Sequence, residues 1–250
     1  MSSFNNFAEL TEDEVSKIIV SSSNASCELD QIPTWLLKKC LQSVLPVITR
    51  MINLSLKSGN FPSSMPSAIV KPLLKKTMLD CELFKNYRPV SNLFVSKLIE
   101  KAAALRFNEY ILSNKLDEVF QSAYKANHST ETALLRVRND ILLAVDKGQS
   151  VILVLLDLSA AFDTVDHALL ASLLEERLGI RGTTLTWINS YLRNRSQTVS
   201  VGEAMSEVLC LLFGVPQGSV LGPLLFTLYA IPLADIARHH GVSFHSYADD

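Results

Sequence analysis

Three acidic residues in two places could hold divalent cations. Asp157 directly follows the run Val151-Ile152-Leu153-Val154-Leu155-Leu156, and Asp249-Asp250 close the chain behind Ser243-Phe244-His245-Ser246-Tyr247-Ala248. Six consecutive aliphatic residues, mostly β-favouring, read as a core strand that carries a carboxylate to the edge of the core. A charge there needs an ion partner, hydrogen bonds or a metal. The second stretch alternates apolar and polar residues as a half-buried strand does, then sets two acids where a tight turn would begin. Carboxylates from two adjacent strands suit a pair of magnesium ions about 3.5–4 Å apart that keep positions open for phosphate oxygens and water. That is the requirement of two-metal phosphoryl transfer, although an Asp-Asp pair also occurs as ordinary turn chemistry.

Two further groups could serve the same chemistry. In Gly214-Val215-Pro216-Gln217-Gly218-Ser219 the glycines allow close backbone approach to a flat ligand, and Gln217 offers a donor and an acceptor beside a helix start. A structural strand-to-helix corner is the alternative reading. Lys75 and Lys76 follow the extended stretch Ala68 to Leu74, and Lys85 and Arg88 precede a second extended piece at Pro89. A hairpin of these two pieces would present its basic loop to phosphate, or be no more than a solvated basic face.

The elements that must position these groups are legible from pattern. Thr11-Glu12-Asp13-Glu14 has the form of a capping box, and Val15, Ile18 and Ile19 follow at helical spacing, so a helix is expected from about residue 12 to Ser21. Ile32 to Lys57 reads as two amphipathic helices divided near Pro46 and closed at Gly59, with Trp35, Leu36, Leu37, Val44, Leu45, Ile48, Ile52 and Leu56 as core. Ala68 to Leu74 is expected as a short edge strand, because Pro72 removes a ladder donor. Helices are expected over Leu93 to Leu112, from Ser129-Thr130 through Asp146, over Ala160 to Leu178, over Thr184 to Leu192 and over Leu221 to Ala230. Ser196 to Val201, Gly202-Glu203 and Val208 to Phe213 read as a hairpin.

Composition bounds what such a site can belong to. The chain has 250 residues, 48% hydrophobic and 19% charged, enough for a sizeable core in one large domain or two subdomains. A net charge of -2 argues against holding nucleic acid by bulk charge alone, so any such binding must be local. The four cysteines, Cys27, Cys40, Cys81 and Cys210, lack CxxC spacing, which favours free thiols in a reducing compartment. There is no signal-peptide pattern at the start and no apolar stretch of the roughly 20 residues that span a bilayer, so a soluble intracellular protein is expected.

Taken in order, the strings resemble the reverse transcriptase of LINE-type non-LTR retrotransposons. They are the proline-to-lysine stretch ending at Lys75-Lys76, Asn86-Tyr87-Arg88-Pro89-Val90-Ser91 and the helix start His128-Ser129-Thr130. Then come Asp157-Leu158-Ser159-Ala160-Ala161-Phe162-Asp163-Thr164-Val165-Asp166-His167, Gly214-Val215-Pro216-Gln217-Gly218-Ser219 and Tyr247-Ala248-Asp249-Asp250. Each is moderately specific, and the ordered set is highly specific.

The resemblance implies an α+β right-hand polymerase fold: an N-terminal helical region over 1–66, fingers over 67–150 and a partial palm with an antiparallel sheet over 151–250, the thumb absent. It implies an RNA-directed DNA polymerase in which Asp157 and Asp249 hold two Mg2+ ions, or Mn2+ in their place, and Asp250 completes the set. Phe162 matches the aromatic steric gate against a ribose 2'-hydroxyl. Gln217 and Gly218 match residues lining the nascent base pair, and Arg88, with Lys75 or Lys76, matches the grip on the incoming triphosphate. Asp163, Asp166 and His167 are expected to cap and anchor the following helix. The implied partners are an RNA template, a DNA primer and deoxynucleoside triphosphates, without a membrane, in a nuclear or cytoplasmic ribonucleoprotein. Lys125 stands where relatives usually carry arginine, and Ala126-Asn127 where they often include glycine, which bears on a template contact. Because the chain stops on a turn, a piece of a longer protein is expected, with the thumb and an upstream endonuclease outside it. Such a fragment, lacking the thumb, is expected to be inactive itself, and a remnant that at most binds nucleic acid or a partner is the competing expectation.

Overall fold

A computed structural model describes residues 2–24, 32–62, 67–91, 94–216 and 218–249, without the side chains of 67–68, 88–91 and 94–95. Helix α1 (Glu12–Val20) begins where the capping box places it. The Thr11 side chain accepts from the Glu14 amide, and the Glu14 carboxylate accepts from the Thr11 amide at 2.8 Å. Helices α2 (Thr34–Lys39) and α3 (Leu41–Ser58) follow, but the break falls at Cys40 and not at Pro46, which lies inside α3. Proline there removes one helical hydrogen bond, a loss that burial of Ile52 and Leu56 on the same helix offsets. Trp35 and Leu36 are exposed, contrary to their expected place in the core. Gly59, at φ 70, ends α3 in the left-handed conformation that a side chain resists.

The sheet is built from β1 (Ser67–Leu74), β2 (Tyr87–Ser91), β3 (Arg195–Val201), β4 (Ala204–Met205) and β5 (Leu209–Leu211). Its order is β2-β1-β3-β4, and β5 also pairs with β3. β1 and β2 form the expected antiparallel hairpin, but β1 is an interior strand, paired in parallel with β3 from Ser67 to Val70. The sheet is therefore mixed and not antiparallel throughout. Pro72 lies beyond the parallel register, opposite Pro89, so its missing amide disturbs no ladder on the β3 side. β3 turns at Gly202-Glu203 into β4 and β5, the hairpin read from the sequence.

The remaining helices are α4 (Phe94–Ser113), α5 (Thr130–Asp146), α6 (His167–Glu176), α7 (Gly182–Leu192), α8 (Leu221–Tyr229) and α9 (Ile231–His239). One hydrophobic cluster draws on nearly the whole length, from Phe7 through Ile52, Ile99, Phe107, Leu170 and Trp187 to Ile231. Trp187 is fully buried at its centre, with Phe7, Phe61 and Tyr191 rings 5.6–5.8 Å away and its indole N–H donated to Ser55 Oγ at 3.0 Å. Contrary to the expectation that no stretch is long and apolar enough to span a bilayer, Leu221–His239 is so by length and composition over 19 residues, yet Leu221, Leu225, Phe226 and Leu228 are committed to this core.

Two expectations near Asp157 fail. The run 151–158 joins no β ladder among the described residues, and its side chains are exposed, Ile152 at 89% and Leu155 at 85%. β preference is realised only where a neighbouring backbone supplies the ladder, and no described strand lies along this run. Nor does a helix start at Ala160. That residue stands at φ 53, residues 159–163 form turns, and α6 begins only at His167, where Asp166 accepts from the amides of Ala168 and Leu169.

Arg106 ties α4 to the N-terminus. Its guanidinium donates to the Ala8 and Glu9 carbonyls and to the Glu14 and Glu109 carboxylates, at 2.9–3.2 Å. The Arg106 hydrogen bond, helped by the Thr11 amide, holds the Glu14 carboxyl below its ordinary 4.5. A depressed folded-state pKa contributes stability above the unfolded value that is lost as pH falls through the folded one. Urea midpoints of the parent chain and of Glu14→Gln are therefore expected to differ by a constant amount above about pH 5 and to converge as the pH falls below 4.5. A difference independent of pH down to 3 would show that the charge contributes nothing.

Candidate active site

The Asp157 segment and the closing turn do meet. The Leu158 amide donates to the Asp249 carbonyl at 3.1 Å, so the backbones that carry the two aspartates are hydrogen-bonded neighbours. Asp157 is exposed and Asp249 half-buried. Asp250 lies outside the described residues. Two carboxylates on touching segments are hard oxygen donors of the kind magnesium prefers. Among the described residues no group of three or more His, Cys, Asp or Glu is gathered closely enough to hold a metal ion.

The closing turn is held by the segment between α4 and α5. Residues 120–122 pair with Ser246: its amide donates to the Phe120 carbonyl at 2.9 Å, and its carbonyl accepts from the Ser122 amide at 3.0 Å. Beside this bridge the Gln121 side chain bonds both backbone groups of Ala248, and Ser122 Oγ lies 2.9 Å from His245 Nε2. Burial holds the His245 pKa below its usual value, so the neutral imidazole is favoured next to that hydroxyl. Phe120 meets Phe244 edge-on at 5.3 Å, with Arg136 over the first ring and Arg238 over the second. The contact spans more than a hundred residues of chain and leaves no local pattern to find.

Phe162 and the glycine-proline turn form one wall. The Val215 amide donates to the Phe162 carbonyl at 2.7 Å, the Gly214 amide to the Val165 carbonyl at 2.8 Å, and His167 Nε2 lies 2.7 Å from the Gly214 carbonyl. A Cβ at Gly214 would stand 2.9 Å from backbone atoms of Phe162 and Asp163, so only glycine permits this approach. The Phe162 ring stacks on Phe226 of α8 at 5.0 Å, half-buried. Asp166 and His167 thus cap and anchor as expected.

The turn continues directly into α8, whose start is held from α4. Glu100 of α4, 2% exposed, accepts from the Val220 amide at 2.7 Å, the Leu221 amide at 3.3 Å, the Tyr191 hydroxyl at 3.3 Å and Ser96 Oγ at 2.8 Å. Burial, reinforced by Glu100, raises the Tyr191 phenol far above its usual pKa and keeps it a donor. Gly218 stands at φ 85 and is exposed, and Gln217 lies outside the described residues.

Lys75, Lys76 and Lys85 are exposed at the end of the β1–β2 hairpin, where the Lys75 amide donates to the Asn86 carbonyl at 2.8 Å. Arg88 lies on β2 opposite Leu73, its side chain outside the described residues. Lys125 donates to Asp117 at 2.7 Å and to the Glu118 carbonyl, so its ammonium is engaged within the protein.

Residues 73–250 match the family described as Reverse transcriptase (RNA-dependent DNA polymerase). The chain is 31% identical over 241 residues to a probable RNA-directed DNA polymerase from transposon X-element of Drosophila melanogaster, across 95% of this chain and 26% of that protein. It is 33% identical over 218 residues to an RNA-directed DNA polymerase from mobile element jockey of Drosophila funebris, across 80% and 22%. A probable RNA-directed DNA polymerase from transposon BS of Drosophila melanogaster is 28% identical over 228 residues, across 89% and 25%. The chain spans about a quarter of the length of the curated relatives it matches.

Proposed function

The chain belongs to the reverse transcriptase family, of the LINE type, and from that premise we propose that it is the fingers and palm portion of an RNA-directed DNA polymerase. The observation that carries the reading is the Leu158–Asp249 backbone hydrogen bond, which makes neighbours of two aspartates 92 positions apart in sequence (249 − 157). In this reading Asp157 and Asp249, with Asp250, would hold two Mg2+ ions. When bound, the ions supply Lewis-acid stabilisation of charge at the primer 3'-oxygen and the leaving pyrophosphate. The chain's own residues do the rest.

Phe162, braced against Phe226, presents a rigid ring five residues past Asp157, where it would exclude a ribose 2'-hydroxyl. Gly214 and Val215 lie directly against the Phe162 backbone, so the segment that leads to the residues proposed to line the base pair is joined to the one that carries the ring proposed to select the sugar. The exposed Lys75 and Lys76, with Arg88, would meet the triphosphate as point charges and a planar fork. The substrates are then an RNA template, a DNA primer and deoxynucleoside triphosphates, at a nuclear or cytoplasmic ribonucleoprotein. The division into 1–66, 67–150 and 151–250 belongs to the same proposal.

The test is primer extension on an RNA template. Extension is expected with deoxynucleotides and Mg2+, and is expected to cease with a chelator or with ribonucleotides alone. Absence of extension under all ions, with the chain folded and bound to the duplex, overturns polymerase activity for this chain.

A further inference from the structure

Gln121 is 4% exposed, so its amide must find its hydrogen-bond partners within the protein. Its three hydrogen bonds are all to backbone. Oε1 accepts from the Ala123 amide at 2.9 Å and from the Ala248 amide at 3.0 Å, and Nε2 donates to the Ala248 carbonyl at 3.2 Å. The side chain therefore acts as an added strand residue, pairing with both polar groups of Ala248 as a ladder neighbour would. Ala248 needs such a grip. It stands at φ 58, a left-handed conformation that an alanine's Cβ disfavours and that only its surroundings can enforce. The next residue is Asp249. A peptide plane turned at Ala248 would redirect the Asp249 side chain, while the Leu158–Asp249 hydrogen bond holds the far side of the same residue.

We infer that Gln121 is a positioning residue for Asp249, clamping Ala248 in its left-handed conformation so that the Asp157 and Asp249 carboxylates face a common cation. The inference rests on the proposed active site and adds a residue to it from outside the aspartate strings. Outer-shell partners of metal-binding carboxylates are commonly worth a factor of about 10–100 in metal affinity. Magnesium, which demands near-ideal octahedral geometry, should be the more sensitive ion.

The experiment measures Mn2+ binding to the chain by the paramagnetic resonance of the free ion, with Mg2+ as competitor, for four variants whose folding is checked by thermal melts. Asp249→Asn reports on the site itself. If it binds Mn2+ like the parent chain, the proposed active site fails, and the clamp with it. Gln121→Met keeps length and apolar volume but has no amide, and is expected to weaken Mn2+ binding about 10- to 100-fold and Mg2+ competition further. Gln121→Met combined with Ala248→Gly is expected to recover most of the loss, because glycine enters the left-handed region without a clamp. Ala248→Gly alone should bind as the parent does. Loss of binding in Asp249→Asn with none in Gln121→Met overturns the clamp and leaves the site standing. Failure of glycine to rescue reduces Gln121 to a packing residue and overturns the clamp equally. Should Gln121→Met not fold, hydrogen exchange of the parent chain decides: slow exchange of the Ala248 amide is expected, and free exchange overturns the inference.

Discussion

Asp249→Asn is expected to slow RNA-templated primer extension on the order of a thousandfold, a loss of about 4 kcal/mol in transition-state stabilisation. An asparagine keeps the shape and one oxygen but removes the negative charge, and magnesium gives up water reluctantly for a neutral ligand. The fold should not notice. Asp249 is half-buried, and the contact that fixes it is made by its backbone carbonyl, accepting from Leu158, which the substitution leaves in place. Thermal stability is therefore expected to stay within about 0.5 kcal/mol of the parent. Single-turnover rates and melting curves measured side by side check both halves. An unchanged rate removes Asp249 from the chemistry, and a large parallel loss of stability makes it a structural residue. Asp157→Asn is expected to match it in rate, since both carboxylates serve the same ions in the proposed site.

Glu100→Ala is expected to destabilise the chain by about 3–5 kcal/mol, lowering the melting temperature by roughly 6–20 °C. Four donors converge on this carboxylate from Ser96, Tyr191, Val220 and Leu221, the last three more than ninety residues from Glu100 in the chain. Alanine would leave the Tyr191 hydroxyl and two amides at the start of α8 buried without an acceptor, each at a cost of about 1–3 kcal/mol before the site relaxes. Glu100→Gln separates geometry from charge. Its amide oxygen can face α8 and Tyr191 while its NH2 faces Ser96 Oγ, so a loss of only about 1 kcal/mol is expected. Denaturant unfolding of the two variants checks this ordering. A glutamine variant as unstable as the alanine one would show that the negative charge, set against the helix start, carries the interaction.

The elements that local pattern specifies were legible. The capping boxes at Thr11 and Ser129 open α1 and α5, Gly59 closes α3, and Gly202-Glu203 turns β3 into β4, because each is decided by hydrogen bonds and dihedrals within a few residues. The reading failed where a local preference had to be completed by something distant. Pro46 looked like a helix boundary, but burial of Ile52 and Leu56 carries α3 through it. The aliphatic run 151–156 looked like a core strand, and its side chains do favour one, yet no described strand lies beside it.

The candidate site divides along the same line. Residue types and their order were enough to name Asp157, Asp249, Phe162 and the Gly214–Ser219 turn and to place the chain in its family, since chemistry and family likeness are both properties of one-dimensional order. Tertiary structure alone decided what holds those residues: Leu158 against Asp249, Gly214 against Phe162 and Asp163, Glu100 beneath α8 and Gln121 around Ala248. The physical reason is that a supporting residue needs only a donor or acceptor at the right point in space. Nothing in the residues beside Gln121 or Glu100 in the chain marks them for that work.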